Sequence, residues 1–308
     1  MTILILGGTG FIGSRLTERL VSRGHKVVCF DLYPDYPKVS HLNDVVVRVG
    51  DVTHVEDLID AIQQYSVQRI VNLAYILPPE SEEKLQLAVR VNLMGMNNVF
   101  EAARLTGIKR VVYASSIAVY GLQSSYGNRP VTEEDDCYPE TVYMAHKLWN
   151  EFMARKYMDR YGMIIPGLRI ANVSGPGRTK GFSAWQGRCI DNLAIGKPAT
   201  MLSRRDQILL IIYVDDTAEL FAKLCLAETL NHAVYNSLAY SVTAQELVDR
   251  IKSVLPDAEI DFNEAAPDQP NIYLWSTERI ERDLGMQLPP IETTIKRHID
   301  EARRLQSL

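Results

Sequence analysis

The 308-residue chain predicts a doubly wound α/β fold on a parallel sheet (Rossmann-type), followed by a smaller C-terminal lobe. Three observations carry that expectation. The apolar run Ile3-Leu4-Ile5-Leu6 leads straight into Gly7-Gly8-Thr9-Gly10-Phe11-Ile12-Gly13. Ile12, Leu16 and Leu20 then recur at helical spacing, giving strand, glycine turn and helix in order. Beyond them, runs rich in Val and Ile alternate with helical segments, as strands buried on both faces require.

Each element follows from local pattern. The first helix stops at Gly24, a natural C-terminal cap, and Lys26-Val27-Val28-Cys29-Phe30 forms the second strand, ending on Asp31. Next come the strand Val45-Val46-Val47, a helix over 55–65, the strand 69–74, a long helix over 85–106 and the strand 110–114. Pro166 starts the paired part of the following strand at Gly167. After Asn172 the periodicity fades. It returns with the strand 209–214 and a helix from Asp215, where the chain crosses back into the first domain. Thr243 and Glu246 form a capping box, and a last helix starts near Ile291. This divides the chain into a cofactor domain, 1–172, rejoined by about 205–235, and a substrate lobe, 173–308.

Composition narrows the partners. With 33 basic and 38 acidic residues the net charge is −5, and no basic tail suggests nucleic acid. No apolar stretch reaches the roughly 18 residues of a membrane span. The first strand starts almost at Met1, leaving no room for a signal peptide. Cys29, Cys137, Cys189 and Cys225 are scattered without a C-x-x-C pair, so reduced thiols and a cytoplasmic location are expected. The His and Cys residues show no metal spacing.

The glycine turn suits a dinucleotide. Backbone without Cβ atoms approaches a pyrophosphate, and the free N–H groups of the helix start favour that anion. Asp31 is placed to accept the adenosine ribose hydroxyls and to repel a 2′-phosphate. No Arg or Lys follows it until Lys38, so the expected cofactor is NAD.

Tyr143 and Lys147, at i and i+4, share one helix face, and Ser115-Ser116 lies just past the strand 110–114. Oxidising an alcohol needs a base for the hydroxyl proton. A phenol with an ordinary pKa of about 10 serves only if nearby positive charge favours phenolate. A serine hydroxyl then holds the reacting oxygen.

These motifs resemble the extended short-chain dehydrogenase/reductases of the NAD-dependent epimerase/dehydratase family, over nearly the whole chain. The resemblance implies cofactor contacts from Gly7, Gly10, Phe11, Ile12, Gly13, Asp31, Leu32, Asp51, Val52, Leu73, Ala74, Tyr75, Asn92 and Ala171, with Tyr143 and Lys147. Counting back from Val119-Tyr120 selects Ser116 over Ser115 as the catalytic hydroxyl. Asn172 falls on the substrate side, and Ile76-Leu77-Pro78-Pro79, after the fourth strand, reads equally as an apolar wall of the substrate pocket, with Ile76 on it, or as an ordinary proline-stiffened loop. It also implies a homodimer through the helices near 92–106 and 143–160.

Departures from the family pattern matter as much. Ile117 and Ala118 stand where dehydratases carry an acid pair. Leu209-Leu210-Ile211-Ile212 replaces the Arg-acid pair that holds a diphosphate, and a second Arg is absent near 268–271. Arg178, Arg188, Arg204 and Arg205 are the remaining cations, read as solvated loop charges, although Arg178 is placed to hold one carboxylate. His146 is expected to be a packed or exposed helix residue. The expected activity is an NAD-dependent oxidoreductase on a small hydroxylated substrate. A nucleotide-sugar epimerase with tightly held NAD is the alternative, ahead of a non-catalytic NAD-binding regulator.

Overall fold

The computed structural model describes residues 1–267 and 271–306. Seven parallel strands form the main sheet: β1 (Thr2–Leu6), β2 (Lys26–Asp31), β3 (Val45–Val49), β4 (Arg69–Asn72), β5 (Arg110–Ser116), β6 (Gly167–Ile170) and β10 (Val234–Asn236). Their order is β10-β6-β5-β4-β1-β2-β3. The order reverses between β1 and β4, so their carboxyl ends open the crevice where such sheets take ligands. Ile3, Leu4, Ile5 and Leu6 of the central strand are wholly buried, which explains their unbroken apolar run.

Helices cover both faces. α1 (Phe11–Ser22) packs with α8 (Val214–Leu226), while α2 (Val55–Gln64), α5 (Met96–Leu105) and α6 (Val142–Tyr161) lie on the other side. The expected long helix over 85–106 is not uniform. It is built from α3 (Glu80–Glu83), α4 (Leu85–Ala88), a π-helical segment over Val89–Gly95 and α5. Gly95 lets that segment press on Val52, since a Cβ there would sit 2.8 Å from Val52 Cγ2.

The second half adds two small sheets. β9 (Ile208–Tyr213) lies between β7 (Asn172–Ser174), parallel, and β11 (Tyr240–Thr243), antiparallel. β8 (Ala199–Met201) pairs with β12 (Ile260–Phe262). The strand expected at 209–214 therefore does not carry the chain back into the main sheet. That return is made by α8 and then β10, which joins β6. β9 satisfies its backbone with β7 and β11 instead, and is buried on both sides.

α7 (Ala184–Ala194) lies in the stretch without clear sequence periodicity. α9 (Ala244–Val254) begins with the Thr243–Glu246 capping box, as expected. α10 (Glu278–Leu284) and α11 (Ile291–Gln306) complete the lobe. α11 is tied to α1 by an Arg15–Glu301 ion pair, and Tyr213 donates to the other Glu301 oxygen at 2.8 Å. Among the described residues no helix is long and apolar enough to cross a membrane.

Candidate active site

The crevice starts at the glycine turn. Gly7 has φ +78°, and a Cβ there would come within 3.2 Å of the backbone at Leu73 and Ala74. A Cβ on Gly13 would lie 2.0 Å from the Gly7 carbonyl oxygen. Side chains are thus excluded where the start of α1 meets the end of β4, leaving a cradle of backbone with Phe11 and Ile12 beside it. Asp31 closes the cradle at the end of β2. Its Oδ2 accepts from Thr9 N at 2.7 Å and Thr9 Oγ1 at 2.8 Å. Burial pushes its pKa up, and the Thr9 hydrogen bonds oppose that. Thr9 is thus an orienting residue that the glycine pattern alone did not single out. Leu32 is exposed next to Asp31. Lys38, the nearest later cation, pairs with Asp35 at 2.9 Å. The Cβ-free cradle and the lone acid fit NAD, which Gly7, Gly10, Gly13 and Asp31 would hold. Asp51 caps its own turn, with Oδ1 accepting from Thr53 N at 2.8 Å, and Val52 is buried beside it.

Catalytic candidates converge at the end of β5. Paired strand runs through Ser116, two residues further than expected. α6 begins on Thr141, whose hydroxyl accepts from Met144 N at 3.3 Å. A second cap comes from α3, where Glu82 accepts from Val142 N at 3.0 Å and Tyr143 N at 2.9 Å. This carboxylate compensates the positive end of α6 at Tyr143. The Ser116 hydroxyl accepts from Ala118 N at 3.2 Å and lowers the pKa of the nearby Tyr143 phenol. Lys147 Nζ donates to the Ala114 carbonyl at 2.6 Å and lies 3.4 Å from the Tyr75 ring centre. Tyr75 meets Tyr143 edge to face, with centroids 5.6 Å apart. Ser116, Tyr143, Lys147 and Tyr75 are therefore one cluster, and Tyr75 is the ring that carries the ammonium.

Electrostatics correct one expectation. Burial raises the Tyr143 pKa, opposed by the Ser116 hydrogen bond and then by the positive charge of Arg178. Burial also drives Lys147 down to about 7, with Glu151 pulling the other way. Arg178, expected to be a solvated charge, is thus a cation that favours phenolate at Tyr143, in addition to the nearby Lys147.

Glu151 extends the Tyr143–Lys147 face by one more turn and was not anticipated; its spacing from Lys147 was the available signal. It is wholly buried. Ser115 Oγ donates to it at 2.5 Å, and Arg169 on β6 clamps it through Nε at 2.9 Å and Nη2 at 2.7 Å. Arg169 Nη1 also reaches the Tyr120 hydroxyl at 2.6 Å, which donates to Asn236 at 2.7 Å. Ser115 thus belongs to a closed network behind the strand, and Ser116 faces Tyr143.

Asn92 is placed otherwise than expected. It is wholly buried in the π-helical segment, its Oδ1 accepting from Ile76 N at 2.8 Å and its Nδ2 donating to Ile76 O at 3.0 Å. Each amide atom thus has one bond to the loop after β4, so Asn92 holds the 76–79 segment in place. Ala171 N donates to Ser237 Oγ at 3.1 Å. His146 is buried, and burial lowers its pKa. It is packed rather than turned to solvent.

Of the four arginines expected in loops, Arg188 lies on α7 instead, and both it and Arg205 are exposed. Arg178 corrects the expectation of a solvated charge. It is partly buried, with Nη1 donating to Val173 O and to Ser183 Oγ at 3.0 Å, and Nε to Lys180 O at 3.2 Å. Arg204 is also tethered, with Nη1 on Ala266 O at 2.9 Å. It lines a cleft of about 470 Å³ with Gln123, Asn172, Gln207, Leu209, Leu210 and Tyr273. The cleft mixes neutral amides with the apolar start of β9. Positions 268–270, where a second arginine was sought, lie outside the described residues. No group of three or more His, Cys, Asp or Glu is placed to hold a metal among the described residues.

The doubly wound sheet, its glycine turn and the Ser-Tyr-Lys cluster define an extended short-chain dehydrogenase/reductase. The chain belongs to the NAD-dependent epimerase/dehydratase family, whose model matches residues 3–236. CapI of Staphylococcus aureus is 33% identical over 187 residues, covering 57% of this chain and 55% of CapI. The sequence match thus spans about half of that relative's length. The fold is that of UDP-glucose 4-epimerase of Thermus thermophilus in complex with NAD, with a TM-score of 0.84 at 24% identity over 98% of this chain and 99% of that one. It is equally that of a GalE-like L-threonine dehydrogenase from Cupriavidus necator, with a TM-score of 0.86 at 22% identity and the same coverage.

Proposed function

We propose that the protein is an NAD-dependent oxidoreductase interconverting a secondary alcohol and a ketone on a small hydroxylated substrate. The observation that carries this is the Tyr143 phenol with Lys147 Nζ 5.5 Å from its ring centre and the Ser116 hydroxyl lowering its pKa, at the carboxyl end of the sheet. When bound, NAD supplies the hydride acceptor. Tyr143 takes the hydroxyl proton at its phenol oxygen, and Ser116 Oγ orients the reacting oxygen. Lys147, held by Ala114 and Tyr75, places positive charge beside the phenol when protonated and would offer Nζ–H to the nicotinamide ribose. Asp31 excludes a 2′-phosphate. Ile117 and Ala118 offer no acid for removing water, which sets dehydratase chemistry aside.

NADH formation over a panel of sugars, sugar acids and hydroxy-ketones tests this reading. No signal from any, with NAD binding intact, rejects it. Calorimetry with NAD and NADP tests the cofactor choice, with NADP expected to be weaker by tenfold or more and Asp31→Ala to narrow the gap.

Arg204 in the cleft favours a second reading, a nucleotide-sugar epimerase. The apolar Leu209 and Leu210 oppose it, because they desolvate a diphosphate without pairing it. Micromolar binding of UDP, dTDP or GDP to the NAD-loaded protein would promote that reading. We assign substrate contacts to Ile76, Asn172, Arg178 and the lobe beyond residue 172. The outward faces of the segments near 92–106 and 143–160 display Met94, Leu105, Trp149 and Phe152, which supports a homodimer. Trp149→Glu should then yield monomers on sedimentation. The four free cysteines support a cytoplasmic location.

A further inference from the structure

Arg178 is a cation without a counterion among the described residues. No carboxylate of theirs lies within ion-pair distance of it, and its three hydrogen bonds go to two carbonyls and a serine hydroxyl. Those bonds fix Nε and Nη1 and leave Nη2 without a partner among the described residues. The guanidinium is therefore held in one orientation by neutral groups. It also stands in the reaction crevice. A Cβ placed on Gly181 would lie 2.8 Å from Arg178 Nη2 and 3.8 Å from Leu77 Cδ1, so the guanidinium and the 76–79 wall close on the same glycine. That wall is fixed through Ile76 to Asn92, directly after Tyr75, which packs on Tyr143. The Tyr143 phenol and Arg178 each feel the other's charge.

A partly buried, oriented and unpaired guanidinium is costly for a fold to keep unless something pairs it. Its Nη2 still has both N–H groups to donate, and a charged donor of this kind suits a carboxylate oxygen. We propose that Arg178 anchors a carboxylate on the substrate, which makes that substrate a hydroxy acid, or the corresponding keto acid in the reverse direction. The inference rests on the oxidoreductase reading for its chemistry, but not for its binding geometry. The carboxylate is unchanged in the reaction. At the carbinol carbon the C–H and O–H bonds break and C=O forms. The hydride goes to NAD and the proton to Tyr143. A single guanidinium balances one negative charge, which favours a monocarboxylate over a phosphate. Leu77 beside it covers the carbon chain.

The test uses the NAD-loaded protein and calorimetric titration with glucuronate and 3-hydroxybutyrate, each against its neutral amide, and with inorganic phosphate. At least one acid should bind roughly tenfold to a hundredfold more tightly than its amide, the range of a hydrogen bond to a charged group. Phosphate should bind more weakly than that acid. Arg178→Met should erase the preference and Arg178→Lys should keep part of it, with NAD affinity unchanged in both. The inference falls if each amide matches its acid, if no acid binds, if phosphate binds best, or if Arg178→Met keeps the preference. NADH assays on the same compounds separate the two readings. Acid-selective binding without NADH formation removes the oxidoreductase reading alone. NADH formation from neutral alcohols without acid selectivity removes this inference alone.

Discussion

Arg169 and Arg178 are both drawn out of water, yet their surroundings are opposite. Arg169 meets a wholly buried glutamate through two nitrogens and a tyrosine hydroxyl through a third. Its charge is fully answered, and despite burial its pKa stays well above the ordinary arginine value because Glu151 holds the proton on. Arg178 meets only neutral oxygens, and burial pulls it down to about 10. The first arrangement is closed and leaves nothing for a ligand to do. The second is open, which is how a binding group differs from a structural one made of the same side chain.

The largest effect should come from opening the closed site. Glu151→Leu strands Arg169 without its partner, and breaking one side of a buried pair costs about 3–5 kcal/mol. Denaturant unfolding measures this, and a loss below about 1 kcal/mol would show that Arg169 finds another partner. Next in size is Tyr143→Phe. It keeps the ring against Tyr75 and removes the proton carrier, so turnover should fall by about 10²-fold or more while melting temperature and NAD affinity hold. Equal loss of NAD affinity would place Tyr143 in binding rather than proton transfer.

The two adjacent serines divide along the same line. Ser115→Ala removes a hydrogen bond to a buried carboxylate and should cost about 1–3 kcal/mol of stability. Ser116→Ala should leave stability nearly unchanged and slow turnover. The reverse pattern would move the reacting oxygen to Ser115.

Lys147 gives a pH signature. Its pKa falls from 10.5 unfolded to about 7 in the fold, so the unfolded chain binds the extra proton between those values. Stability from this group therefore rises with pH across that window and is least below about 7. Melting curves at pH 7 and 9.5 should show Lys147→Met losing that rise. The smallest effect is expected at Arg178. Arg178→Met removes a costly unanswered charge but also its three hydrogen bonds, and the two effects offset, so stability should change by less than about 1 kcal/mol in either direction. A loss as large as that of Glu151→Leu would make the two arginines equivalent and dissolve the contrast.

Much of this was legible in the sequence because it is local. The glycine turn, Asp31, the Tyr143–Lys147 spacing and the Thr243–Glu246 cap each lie within a few turns of chain. The alternation of elements also pointed to the parallel sheet. What escaped was set by distance along the chain. Glu82 caps α6 from 60 residues away, as the Val142 contact shows. Asn92 has the right residue type for a ligand contact, but only the fold reveals that it holds Ile76. The β9 run reads as a core strand without saying which sheet it joins. Arg178 is the exception, held by Val173, Lys180 and Ser183 within five residues of it, but that stretch has no regular periodicity from which the inward turn could be read.

The Asn92–Ile76 pairing separates two properties that usually change together. It fixes the path of this segment by holding only the backbone of Ile76, while the faces that the segment presents belong to the side chains at 76 and 77. Selection, natural or in the laboratory, can therefore rewrite what the pocket accepts by exchanging those two side chains, as a mould takes a new lining without being recast.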